Sequence, residues 1–311
     1  RNTEDNQSVK KQIMKKSFLI FALLLSMATV FAQTPEQDLY RTLRNAGLES
    51  LQNRKYADAL RQLEGAQGIV NSDEIHRDIK RVNDSINAAF NRAKNTFYTK
   101  GDVAKQRAIV MFSELQGVRI ESLAYIGESY YFMGNTILAR EYFEKGIAQK
   151  DALSAYWYAS MLRKIEFKNS TSRRIVLYKM ATSFTGVNDS IGIEYERLNI
   201  NDSAYYWYGK SNSAYSKYNR ACLLLNPANA SVMAGVSDNP IKLLEDVATD
   251  PSNDKIIRAQ AAYYLGMLYR YNSRVKDDKN NTIGWQWIER AANLGHSTAK
   301  SILRDKNLYE K

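Results

Sequence analysis

A glycine sits in the middle of a stretch that otherwise reads as helix, and it does so twice, followed by the same residue types at the same distances. The segment from Leu43 to Ala66, LRNAGLESLQNRKYADALRQLEGA, carries Leu43, Ala46 and Gly47, then Tyr56, Ala59, Leu63 and Ala66. The segment AYIGESYYFMGNTILAREYFEKG, preceded by Leu123, carries Ile126 and Gly127, then Ala139, Phe143 and Gly146. From each glycine the last three positions lie 12, 16 and 19 residues on. Glycine inside a helix costs about 1 kcal/mol relative to alanine, so a chain that keeps it in register gains something larger. The gain is close approach. A side chain at a helix crossing holds the axes beyond the roughly 8–10 Å at which ridges enter grooves, and overpacking of that kind costs about 1–3 kcal/mol. Gly47 and Gly127 are therefore expected where the first helix of a pair is crossed by the second, facing the small Ala59 and Ala139.

This spacing resembles the tetratricopeptide repeat, an antiparallel helix pair of about 34 residues. Thr136 stands where the first copy has the aromatic Tyr56, and neither copy ends in the family's proline. Between the copies lies a weaker unit with a Gly101-Asp102 turn and a second helix carrying Ala108, Phe112 and Leu115. Its first helix is expected to reach back to Asp73, because Ile75, Ile79, Val82, Ile86, Ala89 and Ala93 recur at spacings of 4 and 3. That seam is also readable as a short coiled coil.

Towards the carboxy terminus the sequence AAYYLGMLYRYNSRVKDDKNNTIGWQWIERAANLGHSTAK is similar to the Sel1-like repeat. Leu265, Gly266, Tyr269, Val275, Asp278, Trp287, Ala291, Ala292, Gly295 and Ala299 carry the likeness, while Asn272 and Arg274 replace its usual glycines. A partial copy is read around Ala204 and Trp207. From Asp151 to Leu198, Ala155, Tyr158 and Ala159 begin one helix, and Ile175, Leu177, Met180 and Ala181 lie on another. Together the resemblances imply an all-α fold, a right-handed α-solenoid of antiparallel helix pairs. Tetratricopeptide-like repeats would cover residues 34–150 and Sel1-like repeats residues 151–311, ending in a C-terminal capping helix.

Asn-Asp-Ser recurs at Asn83, Asn188 and Asn201. Asp and Ser accept hydrogen bonds from the first unpaired amides of a helix, so these triplets are expected as helix starts. Asp-Ser before an apolar residue also resembles a glycan acceptor of exported bacterial proteins.

Residues 14–32, MKKSFLIFALLLSMATVFA, read as a secretory signal: two lysines, an apolar run from Phe18, and small residues at Val30 and Ala32 for a peptidase to recognise. The apolar run is shorter than the roughly 20 residues a membrane span needs, so no stable insertion is expected after cleavage, and the protein is expected in the periplasm. Residues 1–13 are read as a spurious or unstructured leader. The chain carries 44 basic against 33 acidic residues, a net charge of +11. In an exported protein such an excess points away from nucleic acid, towards anionic glycan or acidic protein surfaces. Cys222 is the only cysteine, so no intrachain disulfide forms; it lies on the helical face of Ala214, Tyr218, Ala221 and Leu225 and is expected as a buried structural thiol.

No catalytic constellation emerges. His76 and His296 lack a metal-ligand partner at helical spacing, and no phosphate-cradling loop or nucleophile elbow is present. Metal, cofactor and enzymatic activity are therefore not expected. Aromatic and basic surface remains. Tyr130, Tyr131, Phe132, the run Tyr205 to Tyr208, Tyr263 and Tyr264 cannot all enter a core, since consecutive helical residues point about 100° apart. In the tetratricopeptide family the first helix of each unit lines a concave face. That resemblance implies a groove with Arg41, Arg44 and Leu48 in one unit, and Glu121, Ala124, Glu128 and Tyr131 in another, with Tyr206 and Tyr264 as further contact residues. Leu48 stands where members that clamp a terminal carboxylate carry asparagine. The expected partner is a protein or peptide; the alternative is a glycan stacked on exposed tyrosines.

Overall fold

The computed structural model describes residues 34–271 and 278–309, and among them finds helices and turns without a strand. The signal-like segment, the leader before it, and Asn272, Arg274, Val275 and Asp277 lie outside the described residues. Fifteen α-helices follow one another. The chain separates into two compact units between Ala139 and Arg140, inside a helix.

The first unit contains α1 (Pro35–Gln52), α2 (Tyr56–Ile69), α3 (Asp73–Tyr98), α4 (Asp102–Ser113), α5 (Ser122–Phe132) and the start of α6 (Thr136–Ala148). Each of α1 to α4 packs against its successor, and α1 also touches α3. Thr34 and Ser72 cap α1 and α3 through their side-chain oxygens. The seam on α3 is a buried face: Ile75, Val82, Ile86, Ala89, Ala93 and Phe97 are all closed to solvent. Against it Phe112 of α4 stacks on Tyr125 of α5, with ring centroids 4.6 Å apart, and Phe90 meets both edge-on at 5.7 Å. Such pairs add about 0.5–1.5 kcal/mol beyond the area they bury. Lys105 covers the rim of this cluster, its Nζ lying 4.3 Å from the Phe97 ring and 4.9 Å from that of Phe132, and donating to the Phe97 carbonyl.

The second unit continues with α7 (Ala152–Ile165), α8 (Thr171–Met180), α9 (Val187–Arg197), α10 (Asn201–Gly209) and α11 (Ala214–Leu225). After a short 3-10 turn come α12 (Pro240–Thr249), α13 (Lys255–Tyr271), α14 (Asp278–Asn293) and α15 (Ser297–Tyr309). From α7 onward every helix packs on its successor. The helices read from Ala155 and from Ile175 are α7 and α8; Ala155, Tyr158, Ala159, Ile175 and Leu177 are buried, whereas Met180 is 37% exposed and buried Ala181 lies just past the end of α8.

The glycine skeleton is structural. Gly47 is buried, and a Cβ there would meet Leu63 Cγ at 2.6 Å and the Ala59 carbonyl oxygen at 3.3 Å. The glycine thus admits the bulky residue 16 positions on as well as the backbone of Ala59, rather than only facing a small side chain. A third copy, not seen in the sequence, runs from Gly192: Ala204 and Tyr208 lie 12 and 16 residues on, both fully buried. A Cβ at Gly192 would fall 2.5 Å from the Tyr208 ring. Ala204 is thus part of the same α9–α10 pair.

The turns repeat with it. Seven residues after each glycine, Arg54, Gly134 and Asn199 take left-handed backbone with φ of 57°, 79° and 56°. The next amide in each case, from Lys55, Asn135 and Ile200, bonds back to the carbonyl of Ser50, Tyr130 and Tyr195 at 2.9, 2.9 and 3.0 Å. These are closures in which the main chain satisfies its own last carbonyls.

The Asn-Asp-Ser triplets do not cap helices. Asp84 and Ser85 lie in the middle of α3, where continuous apolar periodicity prevails. Those at 188 and 201 lie at the starts of α9 and α10, yet neither helix has a side-chain cap. Asp189 instead accepts from Ser213 Oγ at 2.8 Å and from Ser216, tying α9 to the head of α11.

Candidate functional site

The groove residues read from the sequence fall into separate places. On α1, Arg41 is exposed and Leu48 half-buried. Arg44 is occupied: its Nε lies 2.6 Å from Asp78 and an Nη 2.9 Å from Glu74, so it ties α1 to α3. That hydrogen bond to Asp78 raises its pKa and keeps it charged. Glu121, Glu128 and Tyr131 are half-buried at α5, each of the last two with a partner already engaged, and Ala124 is buried. Tyr206 on α10 is 56% exposed. Tyr264 is half-buried on α13, in the carboxy-terminal core, its ring 6.3 Å from that of Tyr218. Tyr206 and Tyr264 lie in the second unit and the other groove residues in the first.

What the sequence reading missed is the outward face of α3. Arg77, Lys80, Arg81, Asp84, Ser85 and Ala88 line an open hollow of about 510 Å³. They recur at helical spacing on the side opposite Ile75, Val82 and Ala89, so the signal was available in the same periodicity that located the core. Asp84 is near Lys80, at 3.8 Å, and both are exposed, which makes that pair worth little. Arg77 and Arg81 carry no ion pair among the described residues, leaving a net positive surface.

A second feature surrounds Tyr206. Its ring meets Trp207 edge-on at 5.6 Å, and Lys210 lies 5.0 Å above it. Lys179 of α8 donates to Tyr195 Oη at 2.8 Å and sits 5.6 Å from the Trp207 ring. Basic groups over aromatic faces hold this cluster to the surface of α8, α9 and α10.

The reactive groups elsewhere are subdued. Burial pushes the Cys222 thiol up to about 11 and the Tyr158 hydroxyl up to about 12, so neither ionises near neutrality. His296 accepts from the Ala299 amide at 3.3 Å through Nδ1 and meets Gln260 Oε1 at 3.2 Å through Nε2, which fixes it as the Nε2-protonated tautomer capping α15. Among the described residues no cluster of His, Cys, Asp or Glu is arranged to hold a metal, and no helix is long and apolar enough to cross a membrane. The geometry offers surfaces for binding. The chain matches no protein-family model and no curated protein.

Proposed function

We propose that this protein is an exported scaffold of tetratricopeptide-like and Sel1-like helix pairs, wound as a right-handed solenoid, that holds an acidic protein partner in the bacterial envelope. The observation that carries the reading is the basic hollow of about 510 Å³ on α3, built on a helix whose opposite face is locked into the core. Rigid presentation follows from that arrangement, since side chains anchored on a packed helix lose little freedom on binding. Interaction across exposed charges of this kind is salt-sensitive. The test is capture from envelope extract by wild type and by the Arg77→Gln/Arg81→Gln variant. A partner retained by wild type, released by salt and lost by the variant supports the reading; retention equal in both removes it.

The cluster at Tyr206 favours a second reading, in which the surface stacks on glycan. Retention on insoluble cell wall that survives salt but disappears in Tyr206→Ala would establish it instead.

A further inference from the structure

The pair α13 and α14 crosses so closely that a side chain at either glycine of the crossing would be crowded. A Cβ on Gly266 would lie 3.1 Å from the Gly284 carbonyl oxygen, and a Cβ on Gly284 equally close to that of Gly266. About 12 Å along α13 from this crossing, at 1.5 Å per residue, Arg258 and the last turns of α14 line an open pocket of about 340 Å³. Its walls are Arg258, Gln286, Glu289, Arg290, Asn293 and Leu294.

Two arginines from two helices line this space, both half-buried. Among the described residues neither takes part in an ion pair. The Nε of each is closed to solvent and has no acceptor. These two Nε–H donors have therefore lost water without gaining a partner, which is a cost that most buried donors avoid. The nearby acids do not relieve it. Asp250, close enough to sense the charge of Arg258, spends its Oδ1 on Ser252, accepting from Oγ at 2.7 Å and from the amide at 2.9 Å. Glu289 is an exposed wall residue. Arg290 is steadied from its own helix, 5.6 Å from the ring of Trp287.

We infer that the pocket lined by Arg258 and Arg290 is a binding site for a carboxylate carried on a polypeptide. A guanidinium presents parallel N–H groups that match the two oxygens of a carboxylate, and charge-assisted pairs of this sort are the strong ones. Two such groups around one small space converge on a single acid. The amides of Gln286 and Asn293 at the rim both donate and accept, as a peptide bond requires, and half-buried Leu294 supplies apolar contact. The site lies in the second unit, on residues separate from the α3 hollow, so it stands or falls apart from the proposal made for that surface.

Titration of the full chain by calorimetry separates the possible sources. The probes are tetra-alanine with a free carboxyl terminus, its carboxamide, a carboxamide peptide with a central glutamate, and inorganic phosphate. Binding of either carboxylate-bearing peptide, with the plain carboxamide inert, is the expected result; which of the two binds shows whether the acid is terminal or a side chain. Arg258→Gln and Arg290→Gln should each weaken it at least about tenfold, the loss of one charged hydrogen-bonding pair. Arg258→Lys, which keeps the charge and loses the fork, should weaken it too, and covers the case in which a glutamine variant fails to fold. Equal binding of the carboxamide, preference for phosphate, absence of binding to both acids, or affinity unchanged in Arg258→Lys overturns the assignment.

Discussion

Two helix junctions, one in each unit, are held together by different chemistry. In the first, α3, α4 and α5 meet through Phe90, Phe112 and Tyr125. In the second, α8 and α9 meet through a buried ion pair, Arg174 with Glu194, whose side chains are 0% and 1% exposed. Arg174 also donates to Ser170 Oγ at 2.6 Å, Thr171 Oγ1 at 3.0 Å and the Phe167 carbonyl at 3.0 Å. Arg197 approaches the same carboxylate at 3.3 Å and lies over the Phe167 ring at 4.1 Å. An aromatic contact degrades gradually when atoms are trimmed. A buried charge network does not, because removing one partner leaves the other desolvated and unpaired. The first device tolerates variation; the second enforces one arrangement.

The largest effect expected is therefore in the second unit. Glu194→Ala should lower stability by about 3–5 kcal/mol, seen as a fall in denaturation midpoint, whereas Arg174→Met/Glu194→Leu should recover most of it. If the single variant is mild, the contrast between the junctions fails. Gly192→Ala drives a methyl into the Tyr208 ring and should cost about 1–3 kcal/mol; Gly68→Ala, inside α2 with open space around it, should instead stabilise by up to about 1 kcal/mol and serves as control. Phe112→Leu should cost about 1–1.5 kcal/mol, the tolerance expected of an aromatic cluster that can repack. Arg54→Gly should stabilise by about 1 kcal/mol, because the left-handed backbone at that turn penalises any side chain.

The smallest effect is pH-dependent. Burial lowers the pKa of His296 below 6.5, so the fold favours the neutral ring. Its contribution is fully present above the unfolded value near 6.5 and is lost as pH falls through the lower folded value. A melting midpoint that drops modestly across that window in wild type should be flat there in His296→Ala, apart from any background shared by both.

How much of this was legible follows from range. The skeleton around Gly47 was visible because periodicity is local, and Ala59, Leu63 and Ala66 are all fully buried. The copy at Gly192 escaped because Tyr208 fills a position occupied elsewhere by Leu63 or Phe143, and a tyrosine in an aromatic run drew attention to surface chemistry instead. Asn-Asp-Ser misled because capping needs a non-helical residue at the boundary, a backbone property the triplet does not encode. Arg44 was visible as basic but not as occupied, since Asp78 lies on another helix. The pairing of Arg174 with Glu194, and the meeting of Arg258 with Arg290, depend likewise on how separate helices are juxtaposed. The face of α3 was within reach: its basic residues alternate with the very apolar seam that was read.

At three helix junctions the closing bonds come from amides and carbonyls, so the tips themselves read Arg-Lys at 54, Gly-Asn at 134 and Asn-Ile at 199. Lineages can rewrite those tips, trading charge for amide or aliphatic character, while the joint underneath goes on folding the same way; the hairpin ends are where such a protein would acquire new contacts at least risk to itself.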